Sequence, residues 1–373
     1  MKKFLWIAAV LFSLQGFAQA NLDLLVGTYT HSCNSGGIYV YDFNPETAAF
    51  KLKSNTEKIK NPSYLSVSSD QKFVYSVNES GKESTVSAFK FEPKSGKIDF
   101  LNKQSSEGAD PCYLINDDQN VIIANYSGGT IAVFKKNSNG SLSKAVQTIK
   151  HEGFSVNKQR QESPHVHMVQ FSPDKKFVLA SDLGTDRIYL YQYNTDSANE
   201  VLKFRDTIAI KTGSGPRHLS FSPDGKFVYL LQELDGTITV FDYFNGKFQR
   251  IQETTIAQNG FKGQNGAAAI HISEDGKFLY ATNRGEANTI SLFEINDKGK
   301  LVHKKTIPTG GKNPRDFTIV PGGKFVLVAH QDSNDIIVFN RDQTTGELTN
   351  SGKKIELCSP VNLVFAKAEQ PKK

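Results

Sequence analysis

Cysteine is scarce, with 3 residues in a chain of 373, at positions 33, 112 and 358. A dense disulfide framework is therefore excluded as the source of stability; one bridge can form, and spacing leaves open which. No C-x-x-C, H-E-x-x-H, Walker-type or G-x-S-x-G motif occurs. The usual sequence signals for a zinc hydrolase, a phosphate loop and a serine nucleophile elbow are thus missing. GSGPRH at 213–218 begins like a dinucleotide fingerprint, but it lacks the third glycine and any following helical pattern. Positive charge is not concentrated either. The 44 Lys and Arg exceed the 38 Asp and Glu by 6, yet the lysines are scattered, mostly in GK turns. Without a basic stripe or aromatic–basic alternation, no nucleic-acid partner is expected.

Long hydrophobic runs are confined to the start, MKKFLWIAAVLFSLQGFAQA. Two lysines precede an apolar run from Phe4 to Leu14, and Ala18-Gln19-Ala20 is a small-x-small cleavage site. This reads as a signal peptide over residues 1–20, too short for a membrane span. The competing reading is a short uncleaved anchor. The expectation is an exported protein, periplasmic or secreted, with no membrane span. A single domain then covers 21–368, followed by a polar tail over 369–373. Loss of Lys2 and Lys3 lowers the formal charge from +6 to +4.

What is present is a repeat. The aromatic of KFVY recurs at Phe73, Phe177, Phe227, Phe278 and Phe325, with Asn120 of NVIIANY in the remaining slot. A proline stands eleven residues earlier at Pro62, Pro216 and Pro314. Pro111 stands nine before its aromatic position and Pro164 thirteen before; Ala267 replaces one proline, and Pro360 opens a truncated copy. Within each unit, runs with period-two alternation and β-branched or aromatic composition are separated by SSDQ, SPDG or EDG turns. Four strands in roughly fifty residues, repeated, is the signature of a propeller blade. Six copies plus one unit divided between the ends make seven blades. The expected fold is all-β, a seven-bladed β-propeller with four antiparallel strands per blade. SPVNLVFAK at the C-terminus would join the N-terminal blade, because an open ring exposes two strand edges.

Aligning the copies separates scaffold from site. Three places after the proline slot the column reads Leu65, Leu114, Val169, Leu219, Ile270, Phe317 and Leu363, an apolar layer. The position just after the slot varies: Ser63, Cys112, His167, Arg217, Ala268, Arg315 and Val361. Five residues after the aromatic the column is polar throughout: Asn78, Asn125, Asp182, Gln232, Asn283 and His330. Six after it the residues diverge: Glu79, Tyr126, Leu183, Glu233, Arg284 and Gln331. In a blade the start of strand one and the end of strand two lie at the same mouth of the channel. His167, Arg217, Glu233, Arg284 and Arg315 are therefore expected to converge there, with Glu79, Tyr126 and Gln331 nearby. Three guanidiniums beside carboxylates suit an anionic small molecule, because arginine presents a planar fork of donors. The alternative is that Arg217–Glu233 and Arg284–Glu79 are structural ion pairs between blades. His165 and His167 share a strand face in SPHVH, but no other motif supplies further ligands, so no metal site is expected.

NPSYL, DPCY, ANYSGG, SPHVH, SDLGTDRI, GPRHLSFSPDGKFVYLLQEL, NRGEANTISLF and NPRDFTIVPGGKFVLVAHQDSNDIIVF resemble the seven-bladed lactonase family. That family contains bacterial propeller-type 6-phosphogluconolactonases and fungal muconate-lactonizing enzymes, and the similarity spans the mature chain. The resemblance implies hydrolysis of a sugar lactone, the expected partner being an anionic one, with no cofactor. It places the family's catalytic histidine on His167, its acidic residue on Glu233 and its anion-binding arginines on Arg217 and Arg284. The expected catalytic group is then His167, Glu233 and Arg284. Arg217, Arg315, His165, Glu79, Tyr126 and Gln331 are expected to bind substrate. The family's cytosolic sugar-oxidation role conflicts with the export signal, which leaves the substrate open. A lactone is an activated ester, so a base delivering water and a cation facing the oxyanion suffice. The rival reading is a non-catalytic exported propeller that binds a glycan or a protein.

Overall fold

The computed structural model describes residues 21–366. The expected signal peptide and polar tail lie outside the described residues. Among these residues are twenty-eight strands and one short 3-10 turn, Gly81–Glu83, and no helix is long and apolar enough to cross a membrane. The strands form seven four-stranded antiparallel sheets. Blade one holds Pro62–Val67, Phe73–Asn78, Thr85–Glu92 and Lys97–Ser105. Five more follow in sequence over 111–150, 166–209, 216–255, 267–308 and 314–356.

The closing blade is shared between the ends. Pro360–Ala366 is its innermost strand and pairs antiparallel with Leu22–Thr28, which leads outward to Ile38–Phe43 and Phe50–Asn55. The expected ring closure is what the chain does. A Cys33–Cys358 disulfide, with Cα atoms 6.0 Å apart, ties the loop after the first strand to the approach of the last. It reinforces the one seam that no continuous chain crosses. Cys112 is free and buried.

The repeated turn has a definite chemistry. In the two Ser-Pro-Asp copies the serine hydroxyl donates to the aspartate two residues on, at 2.7 Å for Ser172–Asp174 and 2.6 Å for Ser222–Asp224. The same serine oxygen accepts the amide of the following Phe177 or Phe227. Serine and aspartate thus close the hairpin by satisfying backbone donors that would otherwise face solvent. The residue after the aspartate is left-handed, with φ +72° at Gly225, which is where glycine is least strained.

The recurring aromatic is explained one blade on. Phe73 and Phe227 lie against Gly140 and Gly299 in the outer hairpins of the next blades, so close that a Cβ there would stand 2.1 and 2.4 Å from the ring. The apolar column from Leu65 to Leu363 is the core between blades, none of it more than 5% exposed. In blade three the slot eleven residues before Phe177 is filled by Val166, which opens the strand; Pro164 lies in the loop before it. The thirteen-residue spacing from Pro164 to Phe177 therefore reflects a substitution in the slot and an unshifted frame.

Candidate active site

In all seven blades the pairing of the first two strands shifts register at the residue after the slot. A bulge leaves that residue out of the ladder and re-aims its side chain. It thereby turns the variable column toward the mouth. The end of the second strand is held to the same place. The amides of Glu79, Tyr126, Leu183, Glu233, Arg284 and Gln331 each donate to the carbonyl just before the slot of their own blade. Tyr29 does the same to Ser359, so it is the seventh member of that column. The polar column one residue earlier caps these ends: Asn78 donates to the Lys60 carbonyl and Asn125 to the Ser106 carbonyl.

Residues of the two columns line a pocket of about 330 Å³, formed by Tyr29, Glu79, Cys112, Tyr126, Arg160, His167, Glu233, Arg284 and Arg315. All but Arg160 belong to the columns. Glu233 is the hub. Its Oε2 accepts from Arg217 Nε at 2.9 Å and forms an ion pair with Arg284 Nη2 at 3.1 Å, and its Oε1 accepts from Arg160 Nη2 at 2.5 Å. Burial would raise its pKa, but the charges of Arg284, Arg217 and Arg160 outweigh that and hold it at about 2. Glu233 is ionised at every physiological pH.

His167 Nε2 lies 3.7 Å from Glu233 Oε2, too far for a direct hydrogen bond. Burial, then the charges of Arg217 and Arg315, hold its pKa well below 6.5, so the ring is neutral. The Cys112 thiol donates to the His167 carbonyl at 3.3 Å, and its sulfur stands 3.6 Å from Nδ1. Burial, followed by the charge of Glu79, pushes the Cys112 pKa far up, so the group is a thiol and not a thiolate nucleophile.

Arg284 is held by its own blade, Nε donating to the Gly266 carbonyl at 2.9 Å. Arg217 is fully buried beneath Glu233 and donates to the Ala268 carbonyl; burial and then the charge of Arg284 lower its pKa to about 9, which still leaves it charged at neutral pH. Across the pocket Tyr29 Oη donates to Glu79 at 3.0 Å, while Arg315 lies 3.9 Å from Glu79 and over the Tyr29 ring.

The structure brings some of the expected residues together and leaves others apart. His167, Glu233, Arg284, Arg315, Glu79 and Tyr126 meet in the pocket. Arg217 supports Glu233 from below and does not line it. His165 stacks on Tyr126 at 4.5 Å between ring centres and donates from Nδ1 to the Tyr126 carbonyl, behind the pocket wall. Gln331 stands in the column but is not part of the lining. Of the two ion pairs envisaged between blades, Arg217–Glu233 forms within blade four, and Arg284 pairs with Glu233 while Glu79 takes Arg315 and Tyr29. Arg160 comes from the loop over 151–165, which has no repeat partner to reveal it. Tyr29 was hidden by the divided blade. Among the described residues no three His, Cys, Asp or Glu side chains gather as a metal-ligating set.

A propeller of seven blades with this mouth defines the class, and the family model for "Lactonase, 7-bladed beta-propeller" matches residues 23–365. The chain belongs to that family. It is 33% identical to 6-phosphogluconolactonase of Bacillus subtilis strain 168 over 345 residues, 91% of this chain and 97% of that one. Among solved structures it resembles the periplasmic gluconolactonase of Pseudomonas aeruginosa, with TM-score 0.90 and 36% identity over 94% of this chain and 100% of that one. A Bacteroides fragilis structure provisionally named 6-phosphogluconolactonase is 43% identical, with TM-score 0.90, over 94% of this chain and 99% of that one.

Proposed function

We propose that the protein is an exported lactonase that opens a sugar lactone at this mouth by acid–base catalysis, with no metal. The observation that carries the reading is the buried meeting of neutral His167 with an ionised Glu233 clamped between arginines, on one side of an open pocket. His167 is the base. Its Nδ1 faces the Cys112 sulfur, which leaves the Nε2 lone pair toward the pocket to take a proton from the attacking water. Glu233, at about pKa 2, is a poor base itself, but its negative charge stabilises the imidazolium as it forms. Arg284 reaches the pocket and faces the oxyanion that develops on the lactone carbonyl. The ring oxygen leaves as an alkoxide and takes up the proton carried by His167, giving the open hydroxy acid.

Export is supported by the residue 1–20 pattern and by the Cys33–Cys358 bridge, since disulfides persist in oxidising compartments. Pure protein assayed by pH-stat against gluconolactone and 6-phosphogluconolactone, each corrected for spontaneous opening, tests the activity. Hydrolysis of at least one above the blank is expected; no acceleration of either refutes the reading. A mature N-terminus at Asn21 in the periplasmic or secreted fraction tests the export.

A further inference from the structure

Arg160 is the one pocket residue that neither column supplies, and it bridges Glu233 and Tyr126. Its Nη2 donates to Glu233 Oε1 at 2.5 Å and to Tyr126 Oη at 3.1 Å. Its backbone is anchored on both sides. The loop that carries it is pinned where His151 donates to Asp182 at 2.7 Å and Ser155 to Asp186 at 2.5 Å. It is pinned again where Gln161 donates to the Leu183 carbonyl at 2.8 Å and the His165 amide to Asp182 at 2.8 Å. The side chain differs: it is 42% exposed, against 2% for Arg217 and 16% for Arg284. A long stem on a fixed loop can swing while the other two arginines stay in place.

The charge balance says what would draw it away. Arg160, Arg284 and Arg315 face Glu79 and Glu233, with Arg217 buried beneath, so four guanidiniums meet two carboxylates. The pocket holds an excess of two positive charges, and a pocket so charged favours a ligand with a charged end. Resting on the lactonase reading, we propose that Arg160 is an exchangeable anion receptor: it leaves Glu233 Oε1 for a phosphate or carboxylate on the substrate. Glu233 is thereby released to support the proton on His167. Arg160 is then a substrate-binding residue, and it sets how strongly a lactone that bears an anionic group is favoured over a neutral one.

The test compares parent, Arg160→Gln and Arg160→Lys on 6-phosphogluconolactone and on uncharged gluconolactone. In Arg160→Gln the ratio of kcat/KM for the charged over the neutral lactone falls at least tenfold. The kcat on the neutral lactone rises, because no anion is needed to uncap Glu233. The remaining charges facing Glu233 are Arg217, Arg284 and, more distantly, Arg315. With one cation gone, protonation of His167 becomes easier and the acid limb of the rate profile moves to higher pH. Arg160→Lys keeps part of the preference. A parent that accelerates neither lactone overturns the lactonase reading and this proposal with it. A parent that is active, with an unchanged ratio and acid limb in Arg160→Gln, overturns this proposal alone.

Discussion

Glu233 touches three guanidiniums, yet each is held differently, so each contributes something a neighbour cannot replace. Arg284 spans from the Gly266 carbonyl to Glu233 Oε2 with separate nitrogens of one planar group. A lysine offers a single point of charge and cannot make both contacts. Arg284→Lys should therefore lose at least tenfold in kcat/KM, nearly as much as Arg284→Ala, with unchanged thermal unfolding; full activity in the lysine variant would refute the two-point role. The neutral state of His167 sets the pH dependence. Its folded pKa is depressed well below 6.5 by burial and two arginines. The base therefore stays competent as pH falls through 6.5 and is lost only when the lower, folded pKa is reached. Turnover should be flat from pH 7 to 6, and a half-loss at or above pH 6.5 in a rate profile would contradict the assignment.

At the scale of the strand and turn, the blade-to-blade contact of aromatic on glycine carries a stability prediction. A methyl at Gly299 would stand 2.4 Å from the Phe227 ring, at a φ of +71°. Gly299→Ala should cost about 1–3 kcal/mol through overpacking and the strained backbone, read as a lowered Tm. No measurable shift would mean the contact is slack. This is also the scale on which the sequence is most informative. Repetition exposes the strands, the Ser-Asp turns and the two mouth columns, because each blade must satisfy the same backbone and core demands. It could not expose Arg160, whose loop occurs once and serves the site rather than the blade. Tyr29 escaped because its strand is separated from its blade partner by almost the whole chain. The bulge that turns His167 and Arg315 into the pocket leaves no mark on side-chain spacing, and Gln331 shows that membership of a column does not ensure a place in the pocket.

The molecule as a whole depends on one seam. Pro360–Ala366 pairs with Leu22–Thr28 and completes the ring, and the 33–358 disulfide spans a sequence separation of 325 residues. Truncation before Ser359 leaves the Leu22–Thr28 edge unpaired and uncovers the faces of the two neighbouring blades, and should yield aggregated protein. The milder double change of Cys33 and Cys358 to Ser should fold but lose about 2–5 kcal/mol, the usual scale for removing a native disulfide. A truncated chain that melts like the parent would contradict closure by the C-terminal strand. The ring matters because it brings residues from blades one to six and the shared seventh to a single pocket, where the proposed chemistry is concentrated in His167. The most direct measurement is blank-corrected kcat/KM for lactone opening by parent and His167→Gln, with Tm matched between them. A loss of roughly 10²-fold or more is predicted, the scale of a removed general base. Equal turnover in the two proteins would contradict the account.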